Sequence, residues 1–507
     1  MGSPSAHGQR TMRRTEHQPV REPFPIRGST VITRTSTVRT STGPSGFVVA
    51  VLAFVGIVVA VMQTLVVPVM KDLPRLLDTE ASNATWVITS TLLSGAVTTP
   101  ITGRLGDLYG KRRMVLFSLT VMVVGALTSA LTSEPLAMIA GRTLQGCAMG
   151  AIPLGIGLMR DILPRDKLGS AMALMSSAMG VGGSVALPAA ALLAQHTDWH
   201  ALFYGAAGLG VLCIVLIILV VPESSARVPG TFDVLGALGL STGLVLFLLP
   251  VTKGGDWGWN SGTTLELFAA AAIVLVLWAS VELRSPAPLV DLRITARRAV
   301  LLTNLAALMV GASYLVVSLV LPQLLQLPTT TGYGLGQSLV GACLLIAPLG
   351  LTMLLITPGY APLSAMLGPK GTLILGMAII AIGYGVGLGL LRSPWQSLVI
   401  TVILGVGIGL AYSSLPALIV GAVPIGETGA ANGFNTLMRS IGAAVASAVI
   451  GAVLADTAKD VHGIAVPTML GFRVCFLIAV GAMMLGLLIA AFLPRTHAMQ
   501  ESPASTT

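Results

Sequence analysis

Asp107 stands among four bases in the run Gly103-Arg104-Leu105-Gly106-Asp107-Leu108-Tyr109-Gly110-Lys111-Arg112-Arg113, between two long apolar stretches. An acid so placed has two uses. It can be a solvated anchor at a membrane edge. It can also latch two elements together by complementing the positive N-terminus of a helix. The stretch that starts near Glu427–Gly429 offers such a terminus, and Arg112 is then expected to pair with Asp161. Gly103, Gly106 and Gly110 suit a tight turn and close helix contact. Two more cations, Arg142 and Arg439, lie inside apolar runs. An arginine at the centre of a membrane helix costs about 2.5–3.5 kcal/mol on insertion scales, so each should face the bundle interior or snorkel to an interface. Gln145 and Gly146 follow Arg142, and Asn432 and Asn435 precede Arg439. Gln63, Thr64, Asn304, Tyr314 and Asn435 are the polar or aromatic groups expected near a substrate cavity.

The elements that must hold these groups follow from composition. The chain has 507 residues, 54% of them hydrophobic and only 10% charged, with a mean hydropathy of +0.87. Soluble proteins are roughly 25% charged. That excludes a soluble enzyme, a nucleic-acid binder and a disordered chain, and leaves a polytopic helical membrane protein in contact with a lipid bilayer. The 58 Gly and 29 Pro agree, because both are frequent in membrane helices. Cys147, Cys213, Cys343 and Cys475 all fall in apolar runs, with neither disulfide nor metal-ligand spacing. Gly383-Tyr-Gly-Val-Gly-Leu-Gly389 and Gly405-Val-Gly-Ile-Gly409 follow no strand, so they read as helix packing rather than dinucleotide loops. No cofactor and no metal is expected, and without a Walker motif ATP-driven transport is not expected either.

Spanning a bilayer takes about 20 apolar residues as a helix. The expected spans are 47–69, 84–105, 114–132, 136–159, 168–193, 200–221, 233–251, 264–284, 299–321, 335–357, 371–391, 395–419, 428–454 and 471–493, fourteen in all. Residues 1–46 read as a disordered basic cytosolic tail and 494–507 as a cytosolic C-terminal tail. With both termini inside, 21 of the 29 Lys+Arg fall in inner loops and tails, against six in outer loops. That split follows the positive-inside rule. Pro164, Gly169 and Ala171 recur as Pro424, Gly429 and Ala431 at an offset of 260, and Gly182 meets Gly442 at the same offset. Leu105, Gly110 and Arg112 meet Leu363, Gly368 and Lys370 at an offset of 258. The chain therefore divides into an N-terminal six-helix bundle (47–221), an inserted two-helix linker (222–298) and a C-terminal six-helix bundle (299–493). Related halves place a substrate site at their interface, near the bilayer midplane.

The Gly103–Arg113 stretch resembles the signature loop of the major facilitator superfamily, of pattern G-x-L-a-D-r-x-G-r-k. Fourteen spans with an inserted central pair resemble its drug:proton antiporter branch, as does the loop Gly254-Gly255-Asp256-Trp257-Gly258-Trp259. The resemblance covers 47–493. It implies the major facilitator fold, all-α, with two bundles related by pseudo-two-fold symmetry. Arg142, Gln145 and Gly146 match that family's R-x-x-Q-G motif, whose arginine is implicated in proton transfer. Gly180, Gly182, Gly183 and Pro188 keep part of its helix-bend motif G-x-x-x-G-P-x-x-G-G. Leu187, Ala191 and Leu192 depart from the motif, which leaves a proline bend and weakens the link to antiport. The first helix carries Met62 where much of the branch has an acid. The membrane-edge acids are Asp107, Asp233, Glu266 and Glu282, so no proton path is legible.

The reading is a secondary transporter in the cell membrane that exports hydrophobic or amphipathic small molecules, drugs or metabolites, with protons as coupling ion and a monomer as working unit. A transporter dedicated to one metabolite and a non-transporting membrane sensor or scaffold are the alternatives. A membrane-embedded enzyme is disfavoured, because no His/Asp/Glu/Cys cluster occupies the spans.

Overall fold

The computed structural model describes residues 45–70, 72–224, 230–461 and 464–494. The two expected tails lie almost wholly outside them. The described chain is helical apart from loops and one hairpin. Its long helices are α1 (Ser45–Thr64), α2 (Trp86–Tyr109), α3 (Lys111–Ala130), α4 (Pro135–Gly146), α5 (Ala151–Ile162), α6 (Arg165–His196), α7 (Ala201–Val220) and α8 (Val234–Trp257). They continue as α9 (Gly262–Glu282), α10 (Arg298–Gln326), α11 (Leu339–Leu355), α12 (Thr357–Gly387), α13 (Pro394–Ala422), α14 (Thr428–Asp456) and α15 (Met469–Ala491). Eleven of the described helical stretches are long and apolar enough to cross a membrane. Of the other expected spans, 84–105 is the Thr- and Gly-rich α2. The span 136–159 is α4 and α5, joined through a 3₁₀ turn at Cys147–Gly150, and 335–357 is α11, 17 residues long.

The packing partners repeat along the chain. In the first half α1 packs on α6, α3 on α7, and α4 on α2 and α3. In the second, α10 packs on α14, α12 on α15, and α13 on α11 and α12. One hydrophobic core runs through α1–α7 and another through α10–α15. The sequence repeat lands on equivalent contacts. A Cβ on Gly182 of α6 would strike the Ile57 carbonyl of α1 at 2.6 Å, and one on Gly442 of α14 would strike the Leu308 carbonyl of α10. The halves meet through α2 against α14 and α6 against α11. The inserted pair α8–α9 lies beside α2 and α14, where Leu240, Leu244, Leu248 and Trp278 share a third core with Ala96 and Leu437.

Helix starts carry the side-chain caps that orphan backbone N–H groups require. Asp233, Ser261, Ser338 and Thr468 each accept from the backbone N–H three residues on. Three boundaries differ from expectation. The stretch 358–367 is helical, because the backbone keeps α geometry through Ile356 and breaks only at Gly368, φ +72°. The Gly254–Trp257 segment, expected as loop, is the last turn of α8. Lys253 holds that turn to α2, with its Nζ on the Thr85 hydroxyl, 3.2 Å from Asp256 Oδ2 and 5.4 Å from the Trp86 ring centroid. An unexpected hairpin, β1 (Ala458–Val461) with β2 (Ile464–Pro467), joins α14 to α15. Tyr333 donates its hydroxyl to the Pro467 carbonyl at 2.7 Å.

Candidate functional site

The α2–α3 turn is built by a glycine. Gly110 has φ +112°, a conformation L side chains avoid. The turn ends α2 so that Asp107, one turn back, faces the other half of the molecule. Asp107 is fully buried. Its Oδ1 accepts the Gly429 N–H at 3.2 Å and its Oδ2 the Ala430 N–H at 2.9 Å, both in the first turn of α14. A carboxylate there meets both the orphan donors and the positive end of the helix dipole. The backbones must come close for this. A Cβ on Gly103 would sit 2.5 Å from the Gly429 carbonyl, and one on Gly429 would sit 2.7 Å from the Gly103 carbonyl.

Lys111, also fully buried, completes the cluster. Its Nζ lies 3.3 Å from Asp107 Oδ1 and 2.7 Å from Asp161 Oδ2. Asp161 further accepts the Ser224 hydroxyl at 2.5 Å. The expected Arg112–Asp161 pair is not formed. Arg112, one residue further into α3, points away from α5 and donates to the Ile218 carbonyl at 2.8 Å, at the end of α7. Its backbone N–H reaches Glu223 Oε1 at 3.2 Å.

Arg160, counted in the sequence only as a sidedness charge, proves to bridge the halves as well. Its guanidinium donates to the Val423 carbonyl at 3.1 Å, to the Pro424 carbonyl at 3.4 Å and to the Thr428 hydroxyl. The acid of α2 thus covers the start of α14, while the cation of α5 covers the end of α13, each with the charge that terminus prefers. The available signal was its adjacency to Asp161. Arg104 lines a cavity of about 250 Å³ with Asp291, Asn304 and Glu427 at the same end. Burial and nearby Asp291 push the Glu427 carboxyl up, while Arg104 and Arg297 pull it back.

Farther into the bundle Arg142 is fully buried. It donates to the Val87 carbonyl at 3.2 Å, to the Met62 carbonyl at 2.9 Å and to Gln145 Oε1 at 2.7 Å, and Gln145 in turn donates to Ser129 at 3.2 Å. Gly146 lets α4 lie against the Thr91 carbonyl. Arg439 donates to the Thr436 hydroxyl at 3.1 Å and lies 4.8 Å over the Tyr412 ring. Neither arginine snorkels, since 0% and 5% of their surfaces are exposed. The helix α6 runs through Pro188 without ending, and Gly180 packs on Met353 of α11. The expected cavity groups do not share one place. Asn435 donates to Asn304 Oδ1 at 2.9 Å. Gln63 follows the carbonyl that holds Arg142. Thr64 and Tyr314 converge on Gly183, 4.0 Å and 2.7 Å from where its Cβ would be. Among the described residues no group of three His, Cys, Asp or Glu could hold a metal ion. Gly376 and Gly407 let α12 and α13 cross with backbone contact, Gly383 packs on the Ile403 and Leu404 side chains of α13, and Gly405 lies against the Leu349 carbonyl of α11.

Two coupled helical halves clasped at one end, with buried cations between apolar helices, define a multi-pass membrane transporter rather than an enzyme. The family profile described as Major Facilitator Superfamily matches residues 52–447 and 304–507, and the chain belongs to that family. It is 26% identical over 419 residues to the tetracenomycin C resistance and export protein of Streptomyces glaucescens, covering 80% of this chain and 76% of that protein. It is 29% identical over 386 residues to a probable actinorhodin transporter of Streptomyces coelicolor, covering 72% of this chain and 65% of the other. It is 24% identical over 377 residues to multidrug resistance protein 3 of Bacillus subtilis, covering 73% and 72%. The crystal structure of the human organic anion transporter MFSD10 (TETRAN) shares the fold, with a TM-score of 0.61 at 16% identity over 88% of this chain and all of the other.

Proposed function

We infer that the protein is an exporter of hydrophobic or amphipathic small molecules that works by alternating access and proton antiport. The observation that carries this reading is the clasp of Asp107 on the N-terminus of α14, which ties one half to the other at a single end. Releasing those two hydrogen bonds, the Arg160 contacts and the Thr357–Ser177 hydrogen bond opens that end without disturbing either core. The relatives named for resistance and export supply the direction. Fourteen crossings are reached by adding α2, the α4–α5 pair and α11 to the eleven long apolar stretches. The charge distribution favours a topology with the clasp, both termini and both ends of the inserted pair on the cytosolic side of the cell membrane. One copy holds both halves of the pathway, so the monomer suffices. A proton moving inward across 100 mV releases about 2.3 kcal/mol, enough to sustain a useful substrate gradient. Active export from cells, measured per unit of protein in the membrane, should collapse when an uncoupler dissipates the proton gradient. Undiminished active export would remove antiport, and no export of any compound in a broad panel would remove the transporter reading.

A further inference from the structure

Among the described residues, the buried N–H groups away from the clasp that no protein atom accepts are Gln63 Nε2, Arg142 Nη2, both Nε and Nη1 of Arg439, and Trp278 Nε1 in the inserted pair. The unmatched carboxylate oxygens among the described residues, Asp161 Oδ1 and Glu282 Oε2, lie instead at the clasp end. Deep in the bundle the charged N–H groups of Arg142 and Arg439 meet a deficit of anionic acceptors. The deficit is largest at Arg439. Arg142 spreads its charge over two backbone carbonyls and a side-chain amide. Arg439 has one hydroxyl and an aromatic face, and among the described residues no carboxylate lies within ion-pair distance of it. A buried cation is costly unless an anion or strong acceptors meet it.

Its surroundings lie at mid-depth in the second half. Arg439, Tyr412 and Tyr314 lie near the middles of α14, α13 and α10. The Tyr314 ring is 5.9 Å from that of Tyr412. The Tyr314 hydroxyl reaches across to α6, where Gly183 leaves room for it, and Thr64 of α1 closes the same spot. The aromatic pair thus leads from the buried guanidinium to the seam between the halves.

We propose that Arg439 is the counter-charge of an organic-anion subsite. A carboxylate or phenolate takes its free N–H groups once the halves part, and the aromatic body of the same molecule lies along Tyr314. This deepens the export reading and rests on it for transport, though not for binding. A cationic compound meets the like charge of Arg439 there.

Fluorescein and rhodamine 123 share one ring frame and differ in charge, so they make matched probes. Thermal unfolding of the purified full-length protein in detergent reads binding, because a ligand that prefers the folded state raises the midpoint. Proteoliposomes with an imposed proton gradient read transport. Fluorescein should raise the unfolding midpoint and rhodamine 123 should not. Arg439→Gln should weaken fluorescein binding by about tenfold or more, and Arg439→Lys should restore part of it. Arg439→Gln should leave the midpoint without ligand close to that of the native protein. Fluorescein binding lost in Arg439→Gln but with no transport of either dye keeps the subsite and sinks the export reading. The subsite is overturned if fluorescein does not stabilise the folded native protein, if both dyes bind equally, or if Arg439→Gln binds fluorescein as the native chain does. Should Arg439→Gln fail to fold, Tyr314→Leu provides the second variant, with a loss of fluorescein binding expected and unchanged binding contradicting the proposal.

Discussion

At Gly110 the chain leaves α2 with φ +112°, and at Gly368, its partner in the repeat, it makes the corresponding turn with φ +72°. Both turns are followed by a base that anchors the last helix of its half. Arg112 donates to the Ile218 carbonyl at 2.8 Å. Lys370 donates to the carbonyls of Ala491 at 2.8 Å and Leu493 at 2.5 Å. There the likeness stops. Asp107 is matched by the exposed Ala365, Lys111 by Pro369, and Gly103 by Ala361. The helix start that would correspond to Gly429 is at Gly169, which has nothing within 4 Å of its Cβ position. The shared part of the turn therefore holds each half together. The part present once only joins the halves.

Breaking the unshared part should have the largest effects. Gly103→Val drives a side chain into the Gly429 carbonyl, and export per unit of protein should fall by about tenfold to a hundredfold. Ala361→Val at the matching site should change export by less than about twofold. Asp107→Asn removes the charge but keeps the shape, leaves Lys111 with Asp161 alone, and should cost export about tenfold. Ala365→Asp should neither help nor harm, since no helix start is near enough to be capped. Arg160→Gln should cost about fivefold in the same vesicle assay, by freeing the Val423 and Pro424 carbonyls. The shared part sharpens the contrast with the smallest effect. Arg112→Gln and Lys370→Gln should each remove about 1 kcal/mol of stability, equally in the two halves, with export nearly unchanged. Thermal unfolding in detergent checks that pair, and unequal losses would break the equivalence of the two turns.

Much of this was legible in the sequence because apolar length is a strong signal. All the long helices but Thr357–Gly387 start or end within three residues of an expected span limit for that reason, and the repeated Pro, Gly and Ala marked the equivalent helices. The Asp107 contact was legible because an acid among bases, beside a helix start at Thr428, has few partners to choose from. The partner of Asp161 was not. Lys111 and Arg112 are adjacent bases, and only the angle at which α3 leaves Gly110 decides which one faces α5. Arg160 was missed because a cation at a helix end is already explained by sidedness. The hairpin at 458–467 and the extra helical turns before Gly368 and Gly258 depend on tertiary contacts, which a hydropathy pattern does not carry. The aromatic shelf under Arg439 joins residues of α10, α13 and α14, a proximity set by the packing of the second half.

The central claim is that the buried acid on α2 keeps one end of the seam closed by holding the start of α14. Tyr109 and Gly421 are exposed at that end, on opposite halves. With Cys147, Cys213, Cys343 and Cys475 replaced by alanine, spin labels on Tyr109→Cys and Gly421→Cys report the opening as a distance distribution in lipid nanodiscs. The clasp predicts one dominant short distance in the otherwise native chain, a second longer population on adding Asp107→Asn, and no change on adding Ala365→Asp. A distribution that is the same with and without Asp107→Asn would contradict it.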